Sequence, residues 1–166
     1  MTLTRCSRAG SNNGKSGEKI LTLFLYDGLR KQVVKMGIKR NCSASLSILI
    51  EKKPEDIALV EIVFKKEPDP KAEELLKISY NKEEHPKKFV GAYDADELVD
   101  NIINGTAEIK YTSVACELKP EHTYKLCAGT IYADVRVVLT DGFVVPTDMF
   151  TIEDVAETLF NEVYSG

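Results

Sequence analysis

The sequence predicts an α+β domain, a mostly antiparallel sheet with helices packed on one face. Three observations carry that expectation. Apolar residues recur at three- and four-residue steps in residues 18–36, 94–104 and 151–164, as on one face of a helix. Apolar and polar residues alternate in segments between them, as at Val60, Ile62 and Phe64 against Glu61, Val63 and Lys65. The order is helix, strands, helix, strands, helix, with no internal repeat.

Composition bounds the rest. A chain of 166 residues is one domain by length, with a hydrophobic share of 43% that can build a core without staples. A net charge of −4 argues against direct nucleic-acid binding, because such binders are basic. No apolar run approaches the ~20 residues a membrane span needs, so no membrane partner is expected. The apolar run at residues 20–26 is too short and too far behind a polar lead for a signal core. Cys6, Cys42, Cys116 and Cys127 form no CxxC pair. Scattered thiols without a secretory signal suggest a reducing, intracellular location, nucleus or cytoplasm. Asn41 and Asn104 match the glycosylation acceptor pattern, a chance match without secretion.

Residues 1–17 are rich in Ser, Asn and Gly and read as a disordered tail; residues 18–166 form the single domain. In the first helix, 18–36, Leu21, Phe24, Leu25, Leu29, Val33 and Met36 make the stripe and Gly37 the stop. Residues 43–51 read as a strand by period two. Residues 57–80 read as two antiparallel strands on a wide connection, because Pro68 and Pro70 exclude regular structure between them. Residues 89–93 are extended. In the second helix, 94–104, Asp94 and Glu97 suggest a capping box, and Leu98, Val99, Ile102 and Ile103 the buried face. Residues 107–118 are extended or helical, and Lys119 to His122 form a turn. Residues 124–126 and 130–140 read as strands, and Asp141-Gly142 as a hairpin turn. The last helix, 151–164, starts on Thr151 and Asp154.

Several constellations invite chemistry. The string from Ala9 to Ser16, with Gly14, Lys15 and Ser16, loosely matches a phosphate-cradling loop. Such a loop needs a buried strand before it, and the polar residues 1–8 do not supply one. Cys116, His122 and Cys127 lie within twelve residues. They fit no common zinc spacing, and buried thiols beside a turn histidine explain them more simply. His85 precedes Pro86 in a charged loop and reads as solvated. Asp94, Asp96, Glu97 and Asp100 are explained by a solvated helix face that favours the dipole. No catalytic residue, metal or cofactor is therefore expected.

Residues 58–81, ALVEIVFKKEPDPKAEELLKISYN, resemble the central part of the HORMA domain of meiotic chromosome-axis proteins: a strand, an acidic segment with two prolines, then a strand ending in an aromatic and a polar residue. Residues 50–56 resemble the end of the family's long helix. Leu118-Lys-Pro120 and residues 134–150, DVRVVLTDGFVVPTDMF, resemble a later segment of it. The similarity is patchy over residues 49–150; Pro54 interrupts the helix, and the family's long C-terminal safety belt has no counterpart. The resemblance implies an adaptor that captures a short partner peptide by strand addition in chromosome, checkpoint or autophagy assemblies.

The function expected is thus a non-enzymatic interaction module, with self-association as a further partner class. Residues 132–140 are expected as the receiving edge strand, with Val135, Val137 and Leu139 inward and Tyr132, Asp134, Arg136, Val138 and Thr140 as the peptide-binding set. The alternatives are a small nucleotide-binding or thiol-dependent enzyme, or an adhesion-like β module around the Lys119–Thr123 turn.

Overall fold

The computed structural model describes residues 20–25, 32–34, 37–94 and 96–164. Two β-sheets face each other across one core, which overturns the expected helices on a sheet. The smaller sheet runs β1 (Ile20–Leu25), β3 (Ala44–Ile50), β7 (Tyr111–Leu118), β6 (Phe89–Ala92). The larger runs β2 (Gln32–Val34), β10 (Phe150–Val155), β8 (Gly129–Leu139), β4 (Ile57–Lys65), β5 (Glu74–Asn81), with the two-residue β9 (Val144–Val145) paired to β8. β1 is parallel to β3 and β2 to β10; every other pair is antiparallel. The helices among the described residues are two short ones, α1 (Val99–Ile103) and α2 (Pro120–Thr123).

This is the strand order of an immunoglobulin-type sandwich. β1, β3, β7 and β6 stand where its strands A, B, E and D stand, and β10, β8, β4 and β5 stand for G, F, C and C′. The parallel pairings of β1 and β2 depart from it, as does the core. The chain has no Trp, and aliphatic side chains occupy the centre: Leu46, Ile48 and Ile50 from β3 against Ile131, Val135 and Val137 from β8. Val60, Ile62 and Phe64 of β4 complete it, each at 2% exposure or less, so the period-two pattern is the inward face.

None of the three expected helices forms in full among the described residues. Residues 18–36 contribute β1 and β2 to two different sheets. A six-residue apolar run such as ILTLFL satisfies helical and extended periods alike, so pairing decides. Of the described residues in 94–104, Val99–Ile103 are helical. Asp94 instead closes a local turn, its Oδ1 accepting from Asp96 N at 2.8 Å. The face expected inside is outside: Leu98, Val99 and Ile103 are 66%, 67% and 74% exposed. Residues 151–164 begin with β10, paired to β8 through Ile152, and Asp154 adopts φ 60° where the ladder shifts register. A buried central ladder outweighs helix propensity there. Residues 124–126, expected as strand, follow α2 as a turn.

Arg40 ties three parts together. Its guanidinium donates to Leu126 O at 2.7 Å and Tyr124 O at 2.6 Å, stacks on the Tyr124 ring and pairs with Glu157. Thr123, fully buried, donates to Cys42 O at 2.7 Å. The expected tail 1–17 and the phosphate-loop string within it lie outside the described residues.

Candidate functional site

β8 is an interior strand, not an edge. It pairs with β4 over 132–139, with β10 through Ala133, and with β9 at Val137 and Val138. Its ladder groups are therefore engaged within the fold, and a peptide cannot join them. Val138 is half-buried beside β9, and the Thr140 amide donates to Asp56 O at 2.9 Å. The edge expected at residues 132–140 is thereby corrected. What survives is the facing. Tyr132, Asp134 and Arg136 alternate with buried Ile131, Ala133, Val135 and Val137, so they stand together on the outer face of the larger sheet.

There they line a groove of about 330 Å³ over Val63 and Lys65 of β4, with Met149 beside them. Pro68, Asp69 and Pro70, in the connection from β4 to β5, close one end. Lys65 Nζ donates to Pro70 O at 2.6 Å and holds that connection over the sheet. A shallower hollow continues the groove past Val63 to Glu61 and Lys77. Glu61 is its hub. Its carboxylate lies 3.3 Å from Arg136 Nη1 and 3.5 Å from Lys77 Nζ, and accepts from Ser79 Oγ at 3.3 Å. Burial pushes the Asp134 carboxyl up, against bonds from the Val135 amide at 3.0 Å and the Thr147 hydroxyl at 3.4 Å that lower it.

β5 bounds this sheet. Among the described residues it pairs with β4 alone, so its other side offers backbone donors and acceptors to a further strand. Leu76, Ile78 and Tyr80 face the core opposite Phe64, Ile62 and Val60. Leu76 is buried, and Ile78 and Tyr80 are partly buried against the core, with His85 edge-on to the Tyr80 ring and the Lys88 ammonium over it. Lys77, Ser79 and Asn81 face outward with the groove residues.

The thiol and histidine constellation is not assembled. Cys116 is fully buried, and desolvation pushes its thiol up to about 11, with the Tyr80 hydroxyl beside it across the two sheets. That is the reverse of an activated thiolate. His122 Nδ1 accepts from Lys119 N at 2.9 Å, a local cap. His85 packs edge-on against Tyr80, ring centroids 5.6 Å apart. Among the described residues no three metal-ligating side chains converge. Of the acidic residues on 94–100, Glu97 accepts from Asn101 Nδ2 at 3.0 Å. Also among the described residues, no helix is long and apolar enough to cross a membrane.

Sequence reasoning reached Tyr132, Asp134 and Arg136 but missed Glu61, Lys77 and the capping connection. The outward alternation of Glu61, Val63 and Lys65 was the available signal. What it lacked was the cross-strand register that sets Glu61 between Arg136 and Ser79. No protein-family model matches the chain, and no curated protein matches it in sequence.

Proposed function

We propose that this chain is a non-enzymatic protein-interaction module that captures an extended segment of a partner protein as an added strand on β5. The observation that carries the reading is the side of β5 that no described strand pairs. Eight residues at ~3.3 Å each offer roughly 26 Å of ladder, enough for a peptide. β6, which bounds the smaller sheet, has four residues and offers half as much. Main-chain bonds supply affinity in this mode, and alternate side chains supply selectivity. The hollow beside β5, lined by Glu61, Lys65, Glu74 and Lys77 among others, is where the outward side chains of a bound segment meet the protein. The placement on β5 replaces the one expected on β8, and nothing in it depends on the chromosome-axis resemblance.

The test is to pan a displayed random-peptide library on the chain and follow amide hydrogen exchange with a selected peptide. Slowed exchange along β5, and loss of binding on N-methylation of alternate peptide residues, is the expected result. A peptide that tolerates N-methylation at every position, or that protects other strands, refutes strand addition.

A further inference from the structure

We infer that the captured segment alternates apolar and polar residues and sets a carboxylate directly opposite Lys77. This rests on the strand-addition reading. The β4–β5 register defines what each position of an added strand meets. Residues placed opposite Leu76, Ile78 and Tyr80 point to the inner side of the sheet and add to the burial of Ile78. Residues opposite Lys77 and Ser79 point outward, with Cβ atoms about 5 Å from theirs. The pattern read against Leu76 to Tyr80 is apolar, acidic, apolar, polar, apolar.

The acidic position follows from how Lys77 is partnered. Its ammonium, on a side chain 45% exposed, is ion-paired among the described residues with Glu61 at 3.5 Å, and Glu74 lines the same hollow. Glu61 is 15% exposed and is shared with Arg136 at 3.3 Å and with the Ser79 hydroxyl. An ammonium has three donors, and that carboxylate is divided among three groups. Across from Lys77 on the β4 side stands Val63, which offers no charge. The open side of β5 is therefore where a second carboxylate fits.

The same lysine disfavours the competing occupant, a second copy of this chain. Antiparallel self-pairing centred on Lys77 sets two ammonium groups face to face, and centring it on Ile78 sets Lys77 against Ser79. Neither provides a carboxylate, and a lysine on an open edge is a known device against self-pairing.

The probe is a fluorescein-labelled nine-residue synthetic peptide that alternates valine and threonine around one central glutamate, with a central-lysine counterpart. Anisotropy titrations use the full chain and its Lys77→Glu variant, checked for an unchanged melting temperature, and amide exchange reports the strand engaged. The glutamate peptide is expected to bind the parent chain about 5-fold tighter than the lysine peptide, with the preference inverted in Lys77→Glu and slowed exchange along β5 in both. Slowed exchange along β5 with no preference between the peptides overturns the acidic register and leaves strand addition standing. Failure of both peptides to bind or to protect β5 overturns the inference and the function it rests on. Concentration-dependent protection of β5 in the chain alone identifies a second copy as the occupant and overturns it as well.

Discussion

Truncating Phe64 to alanine tests the sandwich at its centre. Phe64 is fully buried on β4, between Ala133 of β8 and Leu76 of β5 in the ladder. One neighbour is an alanine and the others are held by their own ladders, so the site cannot collapse around the lost ring. A buried Phe→Ala change of this kind costs about 3–5 kcal/mol, against a total stability of roughly 5–15 kcal/mol for a domain. At roughly 2–4 °C per kcal/mol for a chain of this size, the melting temperature falls by about 6–20 °C. Lys65, the next residue, points outward and its ammonium makes one exposed bond to Pro70 O. Lys65→Ala therefore costs under about 0.5 kcal/mol. Urea unfolding of both variants, with similar slopes and separated midpoints, gives the comparison. A one-residue slip of β4 exchanges inside and outside. Equal costs, or a larger cost for Lys65→Ala, refute the register on which the groove and the β5 edge depend.

Two further outcomes follow from burial. Desolvation raises the Asp134 carboxyl above its ordinary value of 3.8, so its contribution to stability is fully present below that value and is lost as pH rises through the raised one. Asp134→Asn keeps an acceptor for Val135 N and removes the titration. Its stability, by urea unfolding from pH 3 to 7, is expected to gain on the parent as pH rises through that window, and no change in the difference across it refutes the assignment. Cys116 is fully buried with its thiol pushed up to about 11, whereas Cys42 is exposed. Iodoacetamide at pH 8 with mass-spectrometric mapping should label Cys42 in the native chain and Cys116 only after unfolding; native labelling of Cys116 at a similar rate refutes the packing of β7 against Tyr80.

The candidate site was half legible in the sequence. Alternation at residues 131–137 identified which side chains stand outward, and Tyr132, Asp134 and Arg136 do line the groove. Whether their strand lies at an edge or between neighbours is a property of what pairs beside it. β10, which with β9 occupies that side of β8, comes mostly from residues expected as helix. The alternation therefore suits an edge and an interior strand alike, and the structure makes β8 interior.

By itself the sequence determined the inward face of β4 and β8, the two strands around Pro68 and Pro70, and the turn at Gly142, where φ of 92° suits glycine. These are local: a period of two, a missing donor and a positive dihedral are all visible in a few residues. Only the tertiary structure decided that residues 20–25 and 150–155 are strands and that the fold is a sandwich. Runs such as ILTLFL and TIEDVAETLF carry apolar residues at spacings compatible with helix and strand alike. Their conformation is set by the partners they meet, β3 for the first and β8 for the second, across more than fifteen residues of chain. Pairing satisfies the backbone groups of each run, and no short window of sequence contains that choice.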